Sequence, residues 1–158
     1  MKKIVLAMAT AALMAGLAGT AHGDEPDRAI GRQLDSLDFK YEVDDDGDYR
    51  MVFDVKDDRS QLVFVRSSVQ TYGSHHVREI WSPAYRSSGP QFPALIANRL
   101  LEASQDAKLG GWVKQGETAM FVVKIDADAS AEVLSDAIDA AIKSADAMEL
   151  ELTSKDDF

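Results

Sequence analysis

The sequence contains no cysteine. A disulfide framework is therefore excluded, and so is a lipid-anchored leader, which needs a cysteine to carry the lipid. After the first 23 residues no stretch approaches the roughly 20 consecutive apolar residues of a membrane-spanning helix. Basic residues are also scarce: 17 Lys and Arg stand against 27 Asp and Glu, a formal net charge of −10. A chain this acidic repels nucleic acid and anionic lipid, whose binding leans on basic contacts. Catalytic signatures are missing too. No serine lies in a Gly-x-Ser-x-Gly elbow, and neither a phosphate loop nor a dinucleotide fingerprint is present.

What is present begins with a leader. Residues 1–23, "MKKIVLAMATAALMAGLAGTAHG", run from two lysines through an apolar stretch to small residues, the order of a secretory signal peptide. Cleavage is expected after Gly23, with Ala21 as the second choice. An exported protein of about 135 residues would remain, one domain over 24–158 and long enough to bury a core. Loss of Lys2 and Lys3 takes the net charge to about −12, which serves solubility or favours a basic partner.

The periodicities predict an α+β chain. Ile30, Leu34 and Leu37 recur at helical spacing over 26–38, with Asp24 or Asp27 placed to start the helix. Alternation over 39–43 and 49–55 reads as a hairpin. The run 61–70 is apolar on both faces, because Leu62 and Phe64 point one way and Val63 and Val65 the other. A further extended segment spans 77–85. A second helix is expected from about Phe92 to Ala107, on an inner stripe of Phe92, Leu95, Ile96, Leu100 and Ala103. Gly110 and Gly111 then stop it. Residues 111–115 and 118–126 form another hairpin about Gly116-Glu117. Ser130 caps a third helix with Leu134, Ile138, Ala141, Ala145 and Met148 inward. The acidic tail "ELELTSKDDF" reads as a short strand that then frays.

Three groups of residues invite a chemical reading. In "EVDDDGDYR" an EF-hand register with Gly47 at position 6 leaves Phe53 where the bidentate ligand belongs, and the flanks are strands. Asp46-Gly47 is instead the signal of a two-residue hairpin turn with positive φ at both positions. Asp44, Asp45, Asp46 and Asp48 are left as turn residues or weak surface cation ligands, and Asp57 to Ser60 form a second turn. His75 and His76 suit zinc or acid–base work, but adjacent side chains in extended chain diverge, and His76 and Glu79 face oppositely. Arg50, Arg66, Arg78 and Arg86 either pair across strands, with Asp54, Glu79 and their neighbours, or contact a ligand or partner.

The order of elements, with "FKYEVDDDGDYRMVF", the "FPALIANRLLEAS" helix and the "KLGGW...AMFVVKI" hairpin, resembles the YbjN domain family over nearly the whole exported chain. Asn98 in the second helix and Lys108-Leu109-Gly110 before the next strand belong to the resemblance. Ser104 departs from it, standing where an asparagine is frequent. The resemblance implies a fold similar to type III secretion chaperones: five to six antiparallel strands with three helices, in the order α-β-β-β-(β)-α-β-β-α, often dimeric. It also implies a sensory transduction regulator with no established catalytic residues; no metal and no cofactor are expected.

Two classes of function follow. One is a binding or chaperone-like module that holds a segment of another envelope protein, with Arg50, Arg66, Arg78, Trp81, Arg86, Asn98 and Trp112 as contacts. The other is a small exported enzyme or metal binder using His75, His76, Glu79 and the aspartates. Strands apolar on both faces predict either helices divided between two faces, or a homodimer or client covering a face that includes Val63, Val65 and Val122.

Overall fold

The computed structural model describes residues 25–158, so the expected leader lies outside them. Three helices and seven antiparallel strands follow the order α1 (Arg28–Ser36), β1 (Glu42–Val43), β2 (Tyr49–Asp54), β3 (Ser60–Val65), β4 (Gln70–Tyr72), β5 (His75–Arg86), α2 (Ala94–Asp106), β6 (Gly111–Gln115), β7 (Thr118–Asp126) and α3 (Ala131–Thr153). The sheet runs β1-β2-β3-β5-β7-β6, and the short β4 pairs with β5 off this path. The α+β expectation holds.

Helices α1 and α3 start where a side chain satisfies a free amide, whereas α2 starts after Pro93 with no side-chain cap. The Asp27 carboxylate accepts from Ala29 N at 2.8 Å, and Ser130 Oγ accepts from Val133 N at 3.3 Å. The inner stripe of α3 is buried as its spacing predicts. It packs on the sheet face formed by Tyr49, Met51, Val63, Val65, Ile80, Phe121 and Val123, with Ile30 and Leu34 of α1 in the same cluster. Leu100 of α2 joins Ala84, Ala119, Ala145 and Met148 in a second cluster, so α2 flanks the same face. Arg99 and Glu151 tie α2 to α3 at 2.6 Å.

This arrangement removes the first of the two readings of the doubly apolar strands. The helices are not divided between two faces. Val63 and Val65 are fully buried beneath α3 within one chain, so a subunit or client face cannot include them. Leu62, Phe64 and Val122 lie on the opposite face, but Val122 is itself buried within the chain and offers no surface to a partner either.

Several local expectations also change. The run 61–70 is not one strand. It breaks after Val65, where the Ser67 amide and hydroxyl turn aside to bond Asp48 Oδ1 (2.7 Å) and Gly47 O (2.6 Å). The first turn is not a two-residue type. Gly47 N bonds Asp44 O, and Gly47 alone of the two expected residues has positive φ, 81°. This is a type I turn followed by a left-handed glycine, the three-residue solution. Positive φ at both central positions appears in the second turn instead, at Asp57 (62°) and Asp58 (56°). Leu95 is 80% exposed and leaves the α2 stripe. The tail neither forms a strand nor frays. Helix α3 runs to Thr153, and the last residues dock, with Asp157 N donating to the buried Glu149 carboxylate at 2.6 Å.

Candidate functional site

The helix-free face of the sheet can be followed row by row through the strand register. Its central row crosses six strands: Glu42, Arg50, Phe64, Trp81, Val122 and Gly111 are successive cross-strand partners. Beside it, Val52 pairs with Leu62, while Pro83 and Val113 both pair with Met120. On the other side Glu79 pairs with Lys124, and Arg66 N bonds Glu79 O. Val52 and Val113 are exposed, Leu62, Phe64 and Trp81 half-buried.

Its cations are neutralised in place. Arg50 Nη1 lies 3.2 Å from Glu42, Arg66 Nε 2.7 Å from Asp48, and Lys124 Nζ 3.0 Å from Glu79. The Arg66–Asp48 approach is an ion contact rather than a directed hydrogen bond, because the Nε–H finds no acceptor along its axis. Its guanidinium instead covers the Trp81 ring, 4.9 Å from the centroid. Trp81 Nε1 donates to the second Glu79 oxygen at 2.9 Å.

The other expected contact residues separate. Arg78 is buried and turned to the helix side, donating to the Arg66 and Ser67 carbonyls and to Asp27 Oδ2 (2.6 Å). It fastens the start of α1 and offers nothing to a partner. Arg86 is exposed over the Phe158 ring, and Asn98 is exposed on α2. Trp112 packs edge-on against Phe121 at 5.2 Å, between the two clusters, and also walls a groove.

That groove, about 320 Å³, lies between α2 and β6 and is lined by Phe92, Ala97, Leu100, Leu101, Trp112, Val113, Gln91 and Lys114. Lys114 Nζ sits 5.5 Å from the Phe92 ring centroid. Gly110 (φ 79°) makes the tight entry to β6 because a Cβ there would lie 2.5 Å from Val122 O. Ser104 accepts Trp112 N at 2.8 Å while donating to Leu100 O at 2.9 Å. Ser104 thus satisfies an edge-strand amide that would otherwise be free for pairing. Sequence reasoning missed the groove because it placed Leu95 inward and gave Leu101 no role; Leu101 is 67% exposed.

The acid–base candidates do not assemble. His75 and His76 are exposed and border a shallow hollow with Lys124 and Asp126, and His76 Nδ1 is 3.4 Å from Thr71 Oγ1. Glu79 is committed to Lys124 and Trp81, and it lies on the face of β5 opposite His76. Asp44 accepts from Asp46 N and Asp48 N, closing its own turn. Burial holds the Asp48 carboxyl above the usual aspartate range, against the opposing pull of the Ser67 amide and Arg66. Among the described residues no three His, Asp or Glu side chains are grouped to hold a metal. None of the helices there is long and apolar enough to cross a membrane.

No protein-family model matches the chain, and no curated protein is significantly similar to it. Function is therefore argued from the two apolar surfaces themselves.

Proposed function

We propose that this protein is an exported, non-catalytic binding module of the bacterial envelope, of the chaperone-like or regulatory kind that the YbjN resemblance implies. It seats an apolar segment of another envelope protein between α2 and β6. The groove carries this reading. Six of its eight walls are apolar, and the two polar residues, Gln91 and Lys114, supply neither a nucleophile nor a general base. Its size suits a few side chains of a partner segment, with Phe92, Leu101 and Trp112 as walls.

The test is crosslinking in the periplasmic fraction, with the tag on the N-terminus of the exported chain because the C-terminus is docked. One dominant envelope protein should crosslink to the wild type and be lost with Leu101→Asp, a substitution at an exposed position that leaves the fold intact. A crosslinked partner retained by that variant would remove the groove from the reading.

A further inference from the structure

We propose that the segment seated between α2 and β6 carries an aspartate or glutamate side chain beside its apolar residues, and that Lys114 pairs with it. The inference rests on the groove reading above and adds the chemistry of the occupant. The formal net charge of the chain is −10, so a cation on it readily finds a carboxylate. Arg59, Arg66, Arg78, Arg99 and Lys124 each meet one in the same chain at 3.0 Å or less. Lys114 is different. Among the described residues its ammonium donates to Gly116 O and lies by the Phe92 ring, and neither contact brings a negative charge. No carboxylate lines the groove, so its one ionic wall is a cation without a counter-charge.

That charge is also held in place. The Gly116 carbonyl and the aromatic ring orient the ammonium while leaving it further N–H donors, which lowers the ordering cost of pairing with an incoming carboxylate. Gln91, the other polar wall, adds an amide that can donate to the same group. A basic segment brings like charge to Lys114 and gains more at the acidic turns, Asp44 to Asp46 and Asp57-Asp58. A wholly apolar segment leaves the ammonium unmatched. The surplus acid of the chain repels an acidic partner at a distance, but that field fades over about 8 Å at physiological salt, whereas the contact at Lys114 is local. An acidic side chain is favoured over a terminal carboxylate because Gln91 and Lys114 are both exposed, which leaves the partner chain room to continue past them. Beyond Leu101 and Val113 the groove runs on into an adjoining hollow of about 370 Å³, where the apolar residues that follow find space.

The deciding experiment is fluorescence anisotropy of the purified protein with four rhodamine-labelled peptides that share the run Leu-Phe-Leu, with circular dichroism as the fold control for each variant. Three are amidated and end in Asp, Asn or Lys; the fourth stops at its last leucine with a free carboxylate. The Asp peptide is expected to bind about fivefold more tightly than the Asn peptide, and the Lys peptide more weakly than either. Lys114 is exposed, so its substitution spares the core. Lys114→Gln should erase the order while leaving the Asn peptide bound, Lys114→Arg should keep it, and added salt should compress it. Equal affinity for the Asp and Asn peptides, both lost with Leu101→Asp, would overturn the acidic contact and keep the groove. An Asp preference that survives Lys114→Gln would overturn the role of Lys114. A free-carboxylate peptide that outbinds the Asp peptide would also overturn the proposal, giving Lys114 to a chain terminus. Binding of none of the four at about 1 mM would remove the groove reading and this inference together.

Discussion

Arg78 Nη2 donates to Asp27 Oδ2 at 2.6 Å, joining the central strand β5 to the residue that caps α1. The guanidinium is buried, and its other donor nitrogen holds the Arg66 and Ser67 carbonyls. Replacing Arg78 by alanine leaves those carbonyls and the Asp27 carboxylate without their donor. A loss of about 3 kcal/mol is expected, the range for breaking a buried pair. Urea unfolding should report it, and hydrogen exchange should show the amides of α1 opening first. Exchange unchanged over residues 28–36 would mean that the packing of Ile30 and Leu34 alone holds the helix.

Val65 lies fully buried under α3 in one chain. Val65→Asp therefore places an unpaired carboxylate in the core and should cost upwards of about 3 kcal/mol, seen as loss of cooperative unfolding. A folded, stable monomer from this variant would contradict the placement of Val65 in the core.

Asp57 and Asp58 both occupy the left-handed region, which aspartate tolerates and glycine prefers at the second central position of this turn. Asp58→Gly should raise stability by about 0.5 kcal/mol, after allowance for the added freedom of the unfolded chain. A lower urea midpoint would show that the Asp58 side chain supports the turn more than its backbone strains it.

Glu149 is buried, and burial raises its carboxyl above the usual glutamate range, although Asp157 N and Arg59 pull the other way. The folded state then holds the proton more tightly than the unfolded one. From the ordinary glutamate pKa up to the raised folded value, this group takes stability away as pH rises; below that window its ionisation costs nothing. Glu149→Gln should flatten the fall in stability between mildly acidic and neutral pH, measured by urea unfolding at a series of pH values. An unchanged slope would assign the pH dependence to Asp48, whose carboxyl burial also raises.

Much of this fold was legible because its signals are local. The stripe from Leu134 to Met148 and the alternation of Tyr49, Met51 and Phe53 state which side each element buries, and Ser130 marks where α3 begins, while the start of α1 was open between Asp24 and Asp27 until the structure placed Asp27 there. The misreadings are also physical. Residues 61–70 look like one strand because nothing local reveals that Ser67 will bond Asp48 and Gly47, 19 and 20 positions earlier. The tail looks polar enough to fray, yet Arg59 reaches Asp146 and Glu149 from a turn nearly 90 positions away and makes it a docking surface. Arg78 looked like a partner contact because a strand arginine in an acidic chain does not say which face it takes.

The sequence by itself determined the α+β class, the Ser130 cap, the alternation over 49–55 and the absence of a catalytic signature, since all of these depend on residues within a few positions of one another. Only the tertiary structure decided that all three helices share one side of the sheet, so that Val63 and Val65 become core while Leu62, Phe64 and Trp81 face outward. The period of two along a strand separates its faces but does not name the one that is covered; that depends on where the chain crosses between β3 and β5 and where α3 returns, which is set by packing across the whole molecule.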